Sequence, residues 1–271
     1  MARSPQSRAD PVLDAEPVEI GERGVGVGSE LLQRSSLDIL VTGIIGGVEV
    51  SFGGLAGATV IGAMLDIGPS VHLYTALSVA ALVFPIGFVF VILGRSELFT
   101  ENFLIPVVAV VQRRGAVRRL ALVWGLSWAG NMIGCAVLAA LINTPHALGL
   151  PVISGYAHYA DYKLSLPLLG TFVSAVLAGA IMTVLTWLLL SVRGTLAKLV
   201  VIWAAGYTLF ATNVSHVVVG AALIFAGVGH TGHAWSDVPP WIGIVTAGNV
   251  VGGLGFVTLF RLVQVWEQRR S

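Results

Sequence analysis

Charge is what this 271-residue chain has least of. Asp, Glu, Lys and Arg make up 11% of it, where a soluble domain carries about 25%. A water-soluble globule is therefore excluded, and little mass is left for a soluble domain. The single cysteine, Cys135, lies in an apolar run. No intrachain disulfide framework and no cysteine-based zinc cluster can form from it. The net charge is +1, which offers nothing to nucleic acid, and no nucleic-acid partner is expected.

What is present is apolar residue and glycine. Hydrophobic residues make up 56% of the chain, and 33 residues are glycine. Mean hydropathy is +0.88. This is the composition of an all-α integral membrane protein, in which small residues let helices approach closely. The first 35 residues are polar and rich in Gly, Pro and charge. They are expected to form a cytoplasmic tail rather than a cleaved leader. The expected organisation is 1–35 tail, 36–265 transmembrane domain and 266–271 cytoplasmic end.

A span needs about 20 apolar residues. Six segments meet this, roughly at 38–65, 71–111, 117–142, 164–191, 196–228 and 240–262. Thirteen of the fifteen Lys and Arg then fall on one side, which makes that side and both termini cytoplasmic. Lys163 is on the other side, and Arg95 lies within the second segment.

Phrases recur in order. Leu55-Ala56-Gly57-Ala58 returns at Leu177, Leu98-Phe99-Thr100-Glu101-Asn102 as Leu209-Phe210-Ala211-Thr212-Asn213, and Ala129-Gly130-Asn131 at Ala247. The offsets are 122, 111 and 118 residues. Two halves of three spans each must be inverted relative to one another, so 36–142 is expected to match 164–262 after inversion. Each half carries a polar break in a long apolar segment, the second and the fifth. Thr100, Glu101 and Asn102, like Thr212, Asn213 and Ser215, are types that cap helix N-termini. Caps in mid-membrane would start half-helices whose positive ends attract anions. A second parse makes 71–94 one span and 98–111 a separate re-entrant piece.

His216 is the one histidine inside an apolar span, three residues beyond the second break. An ionisable group there is a functional hypothesis by default. Burial favours the neutral ring and a nearby anion the charged one, so it would be a conditional proton donor. The competing reading is a neutral histidine joining two helices. Lys163 reads either as a snorkelling residue at a span end or as an anion lure. Phe84, Phe88, Leu98, Phe99 and Leu209 read as packing or as rings that gate by dewetting. Arg95, Glu97 and Glu101 read as a local salt bridge at the cytoplasmic mouth, with a direct transport role for Glu97 or Glu101 as the alternative. Asn131 and Asn249 read as interhelical glue.

Gly94, the run Glu97-Leu98-Phe99-Thr100, Gly130-Asn131 with Gly134, the spacing from Lys198 to His216, and Gly248-Asn249 with Gly252-Gly253 together resemble the formate/nitrite transporter family. The resemblance covers essentially 36–262. It implies an aquaporin-like fold of six spans with the second and fifth interrupted, a homopentamer with one pore per protomer, and a bacterial inner (plasma) membrane. By position it makes His216 the central pore histidine and Thr100 its partner across the pore. Leu98 and Phe99 match a cytoplasmic constriction; Phe84, Phe88 and Leu209 match an outer one, where Leu209 replaces an aromatic. Lys163 matches a lysine of the outer vestibule. The family has Glu where this chain has Ser215, Asn where it has Gly220, and Asn in the fourth span near Gly179.

The expected function is a channel or proton-coupled transporter for small monovalent anions of weak acids, with no cofactor or metal. A neutral-solute pore of aquaporin type is the second reading. An intramembrane enzyme is the third: it would want a second deep histidine or a Ser–His cleft, and Ser215 and His216 adjoin in sequence and so face apart.

Overall fold

A computed structural model describes residues 15–270. The first fourteen residues of the expected tail, and Ser271, lie outside the described residues. Every described element is helical, and none is a strand. In chain order these are α1 (Pro17–Gln33), α2 (Ser36–Leu65), α3 (Leu73–Ala80), α4 (Ile86–Gly94), a 3-10 turn (Phe99–Phe103), α5 (Ile105–Val111), α6 (Val117–Ile142), α7 (Leu150–Leu164), α8 (Leu168–Ser191), α9 (Thr195–Ala211), α10 (Val217–Gly227), α11 (Val238–Val251) and α12 (Leu259–Gln268). Among the described residues, four helical stretches are long and apolar enough to cross a membrane: Ser36–Leu65, Val117–Ile142, Leu168–Ser191 and Trp235–Gln268. The last joins α11 to α12 through a π-helical stretch rich in glycine, Gly252–Thr258. Segments two and five are assembled from shorter helices.

Two helix pairs are packed by the same device. On α2 and α6, Gly47 comes up against the backbone of Asn131, and Gly134 against Ile44 O. On α8 and α11, Gly179 meets the backbone of Asn249, and Gly252 meets Val176 O. A methyl group at any of these positions would strike main-chain atoms, so only glycine allows the approach. Asn131 and Asn249 are 118 residues apart, whereas Gly47 and Gly179 are 132 apart. Of the three recurring phrases, only the one at offset 118 joins positions that make equivalent contacts.

Three stretches depart from expectation. Residues 17–33 form a helix rather than a polar tail. Ile20, Gly24, Gly28, Leu31 and Leu32 make one buried stripe of α1, at helical spacing. Gly28 sits against Ile105 O of α5, and Gly21 against Val265 of α12. The second segment is broken twice, once at residues 81–85, ahead of α4, and again after Gly94. Between the third and fourth segments lies α7, which packs Gly155 against the Ala58 backbone of α2.

Gly179→Ala should cost about 1–3 kcal/mol, the usual penalty for overpacking. Gly243→Ala, where nothing lies within 4 Å of the added atom, should cost nothing measurable. Thermal unfolding of the two variants in detergent checks this; equal midpoints would contradict the packing account.

Candidate functional site

The site is built around two places where a helix stops in the middle of apolar sequence. After α4, Arg95 turns left-handed (φ 61°) and the chain runs extended to Leu98. After α9, Asn213 turns left-handed (φ 52°) and the chain runs extended to His216. Left-handed backbone costs a non-glycine residue roughly 1–2 kcal/mol. The released backbone groups need partners, since an unpaired one in a dry interior costs more.

Those partners are two asparagines. Asn131 Oδ1 accepts from Phe99 N–H at 2.8 Å, and its Nδ2 donates to Gly43 O and Glu97 O, each at 2.8 Å. Asn249 Oδ1 accepts from Val217 N–H at 2.9 Å, and its Nδ2 donates to Ala175 O at 2.8 Å and Ser215 O at 2.9 Å. Both asparagines are fully buried. Each spends all three bonds on one break and one neighbouring helix. They were expected as glue between helices; the structure makes them the clamps of the breaks. The equivalent pairs are Glu97 with Ser215, and Phe99 with Val217.

His216 itself caps α10, in place of the expected Thr212, Asn213 or Ser215. Its Nδ1 accepts Val219 N–H at 3.1 Å. An Nδ1 that accepts carries no proton, so the proton of the neutral ring is assigned to Nε2. Nε2 lies 2.6 Å from Thr100 Oγ1. The bond joins the first break to the second, and both residues are fully buried. Thr100 sits within the 3-10 turn and caps nothing.

Aromatic rings lie next to this pair. Phe88 presents an edge to the His216 ring at 6.2 Å and lies 5.4 Å from Phe84. Phe84 stacks on Phe210 at 4.3 Å, and Phe210 on Tyr159 at 6.1 Å. Leu209 is buried, and Phe210, one residue on, presents an aromatic ring to Phe84. Phe210 and Tyr159 were not singled out in the sequence; the FA step after Leu209 was the only signal for Phe210. On the side of the first break, Leu98 and Phe99 are buried. Phe99 meets Phe103 at 4.9 Å and Trp124 at 6.4 Å, edge to face in both cases.

Lys163 does not snorkel. It is fully buried, and its Nζ donates to Asn213 O at 2.5 Å and lies 3.4 Å from Ser215 Oγ. It sits 5.5 Å from the centre of the Tyr159 ring. Ser215 also receives Ser174: its N–H donates to Ser174 Oγ at 2.9 Å. Ser215 and His216 thus face different partners.

The charges at the first break pair otherwise than expected. Glu97 binds Arg34, from the junction of α1 and α2, and Arg34 also reaches Asp38 and Thr42. The Asp38 hydrogen bond raises the Arg34 guanidinium above its ordinary value. Arg95 is exposed, and Glu101 Oε1 is buried with no partner among the described residues. A carboxylate that sequence reasoning passed over, Glu49 of α2, accepts Ser96 Oγ at 2.5 Å.

One of the expected departures from the family, at Gly220, is filled by a neighbour. A side chain at Gly220 would run into the Trp241 ring of α11. Trp241 occupies the room that a side chain at position 220 would need.

A model of the formate/nitrite transporter family matches residues 18–263. An uncharacterized transporter of Bacillus subtilis, YrhG, is 27% identical over 94% of this chain and 96% of its own length. Among solved structures, an FNT family ion channel superposes with a TM-score of 0.79 at 20% identity, covering 91% of this chain and 98% of the channel. A pentameric formate channel with formate bound gives a TM-score of 0.70 at 16% identity, covering 84% and 96%.

Asn249→Leu should lower the unfolding midpoint sharply, because three backbone groups lose their partner at about 1–3 kcal/mol each. Asn249→Asp keeps the acceptor and should fall between. Gly220→Asn should also destabilise, and the double variant with Trp241→Ala should cost less than the sum of the two. A double-mutant cycle on unfolding midpoints measures that coupling; strict additivity would show that Trp241 is not what excludes the asparagine.

Proposed function

The chain belongs to the formate/nitrite transporter family, and from that premise we propose that it is a channel or transporter for small monovalent anions of weak acids. We read it as six spans in two inverted halves, with both termini on the cytoplasmic side of an inner (plasma) membrane. We read the assembly as a homopentamer with one pore in each protomer; a solved structure that this chain resembles is described as a pentameric formate channel.

The observation that carries the reading is the 2.6 Å contact between His216 Nε2 and Thr100 Oγ1. It joins the two breaks through a polar pair in an apolar centre. On one side lie Leu98 and Phe99, which we assign to the cytoplasmic constriction. On the other lie Phe84, Phe88 and Leu209, with Phe210 added, which we assign to the outer one. A charge at the middle of a membrane costs at least about 2.5–3.5 kcal/mol. An anion that borrows a proton between the rings avoids most of that barrier. Lys163 draws the anion to the outer side.

His216 and Thr100 are the groups placed to lend the proton. The Nε2–H is held by Thr100 Oγ1, so the hydroxyl hydrogen of Thr100 is free to turn to the anion. For the ring to give up a proton without becoming an anion itself, it must first gain one. The nitrogen that receives it is Nδ1, which then releases Val219 N–H. Loading is therefore favoured only while an anion is near, and acid outside should raise the flux.

Proteoliposomes supplied with formate, nitrite, glycerol or ammonium test the substrate class. Swelling with formate or nitrite but not glycerol is expected; glycerol alone would establish a neutral-solute pore. His216→Ala should keep the fold and remove the acid stimulation of anion flux between about pH 5 and 8, where an unperturbed histidine titrates. Flux that rises with acid as steeply as before would assign His216 to packing.

A further inference from the structure

We propose that Glu101 is the proton donor for anions that enter the pathway from the cytoplasmic side, as His216 and Thr100 are for those that enter from the outer side. The inference rests on the reading of the protein as an anion pathway with a proton lent at its centre, and adds to it a second acid at the first break.

The turn fixes where Glu101 stands. It follows Thr100 directly within the 3-10 turn Phe99–Phe103. Its N–H donates to Leu98 O at 3.1 Å. Side chains three residues apart in such a turn lie one above the other, which sets Glu101 over Leu98, and its carboxyl reaches the Leu98 backbone. Glu97 is the charge close enough to act on that carboxyl. Glu101 thus lies between the Thr100–His216 pair and the Glu97–Arg34 pair, beside the residues assigned to the cytoplasmic constriction. The residue is partly exposed, while its Oε1 is enclosed with no partner among the described residues.

No cation among the described residues serves it. Arg34 is held by Glu97 and by Asp38, the latter at 2.6 Å. Arg95 is exposed. The helices α5, α8 and α11 and the π-helical stretch Gly252–Thr258 pack against the turn and carry no charged or titratable side chain. Helix α6 also packs there, with Arg118 and Arg119 in its first turn and Cys135 further along. Arg118 is exposed, Arg119 donates to Leu32 O at 2.6 Å, and Cys135 Sγ approaches Gly47 O at 3.6 Å. On α2, Glu49 is engaged with Ser96. An ionised carboxylate at Glu101 would stand uncompensated, with the Glu97 charge as its neighbour. The neutral carboxyl is the form that this surrounding accommodates.

A neutral carboxyl beside an anion's path is a proton donor. When the anion reaches Glu101, the O–H bond of the carboxyl breaks and an O–H bond forms on the anion. The products are a neutral acid and a Glu101 carboxylate. The acid passes Leu98, Phe99 and the central pair without placing a charge at mid-membrane. The carboxylate takes a proton back from water on the cytoplasmic side. In the inward direction the steps reverse, and a neutral acid coming from the centre protonates the carboxylate. Either way one anion crosses with one proton.

The test is tracer exchange of formate across proteoliposomes that hold the full chain. Formate and pH are equal on both sides, so the orientation of the protein does not matter. Glu101→Gln keeps the shape of the neutral carboxyl and has no proton to lend. Formate must then enter already protonated, a species that grows scarcer about tenfold with each unit of pH. Exchange by Glu101→Gln should fall at least about tenfold below wild type at about pH 7.5, and by under about threefold at about pH 5. Glu101→Ala should show the same shrinking deficit, and Glu101→Asp should restore most of the exchange at neutral pH. A role in holding the turn would lower exchange by one factor at every pH. Exchange by Glu101→Gln and Glu101→Ala that equals wild type, or falls by a constant factor across the range, overturns the proposal and leaves the anion pathway standing. Wild-type exchange of formate and nitrite no faster than in protein-free liposomes removes the pathway, and the role of Glu101 with it.

Discussion

Everything in this structure depends on keeping backbone groups paired where the helices stop. An interrupted helix exposes N–H and C=O groups, and a dry surrounding gives them no water. Asn131 and Asn249 answer this with the same three bonds, one accepted and two donated. The clamps need helices close enough for an asparagine side chain to span the gap. That closeness comes from Gly47 and Gly179, which lie against the backbones of the two asparagines. Glycine packing, asparagine clamp and broken helix are thus one device, used twice.

Once the breaks are held, the placement of His216 follows. The second break ends where α10 begins, and a helix start demands an acceptor for its free N–H groups. Ring nitrogen Nδ1 supplies it through Val219. This fixes the ring and turns Nε2 to Thr100. A backbone requirement therefore sets both the orientation and the tautomer of the side chain at the centre. A freely rotating histidine would offer either nitrogen to a passing ion; this one offers a single N–H in one direction.

Much of this was legible in the sequence and some was not. The two breaks, the depth of His216 and its pairing with Thr100 could be anticipated, the first two from residues alone and the third by resemblance. One of the three recurring phrases, that of Asn131 and Asn249, marked positions with equivalent contacts; the other two did not. Leu98 resembles Leu209 in sequence, yet its structural equivalent is His216, because contacts and not letters define equivalence. Helix α1 was missed because glycines mask its amphipathic stripe, and glycine reads as loop until a backbone is found packed against it. Phe210 and Trp241 were missed for a related reason. Each fills space left by a smaller residue elsewhere, Leu209 in one case and Gly220 in the other, and volume complementarity between distant positions leaves no local pattern.

The departures from the family are not all of one kind. At Gly220 the lost side chain is replaced by volume, since Trp241 closes the gap. At Ser215 the neighbours are polar instead: its N–H donates to Ser174 Oγ at 2.9 Å, and its Oγ lies 3.4 Å from Lys163 Nζ. Volume can be restored by any apolar group of the right shape, and cores accept such exchanges readily. Charge in a buried place cannot be restored by shape. It needs an opposite charge or well-placed acceptors, and for Lys163 these are the Asn213 carbonyl at 2.5 Å and the Ser215 hydroxyl at 3.4 Å, both supplied by the second break.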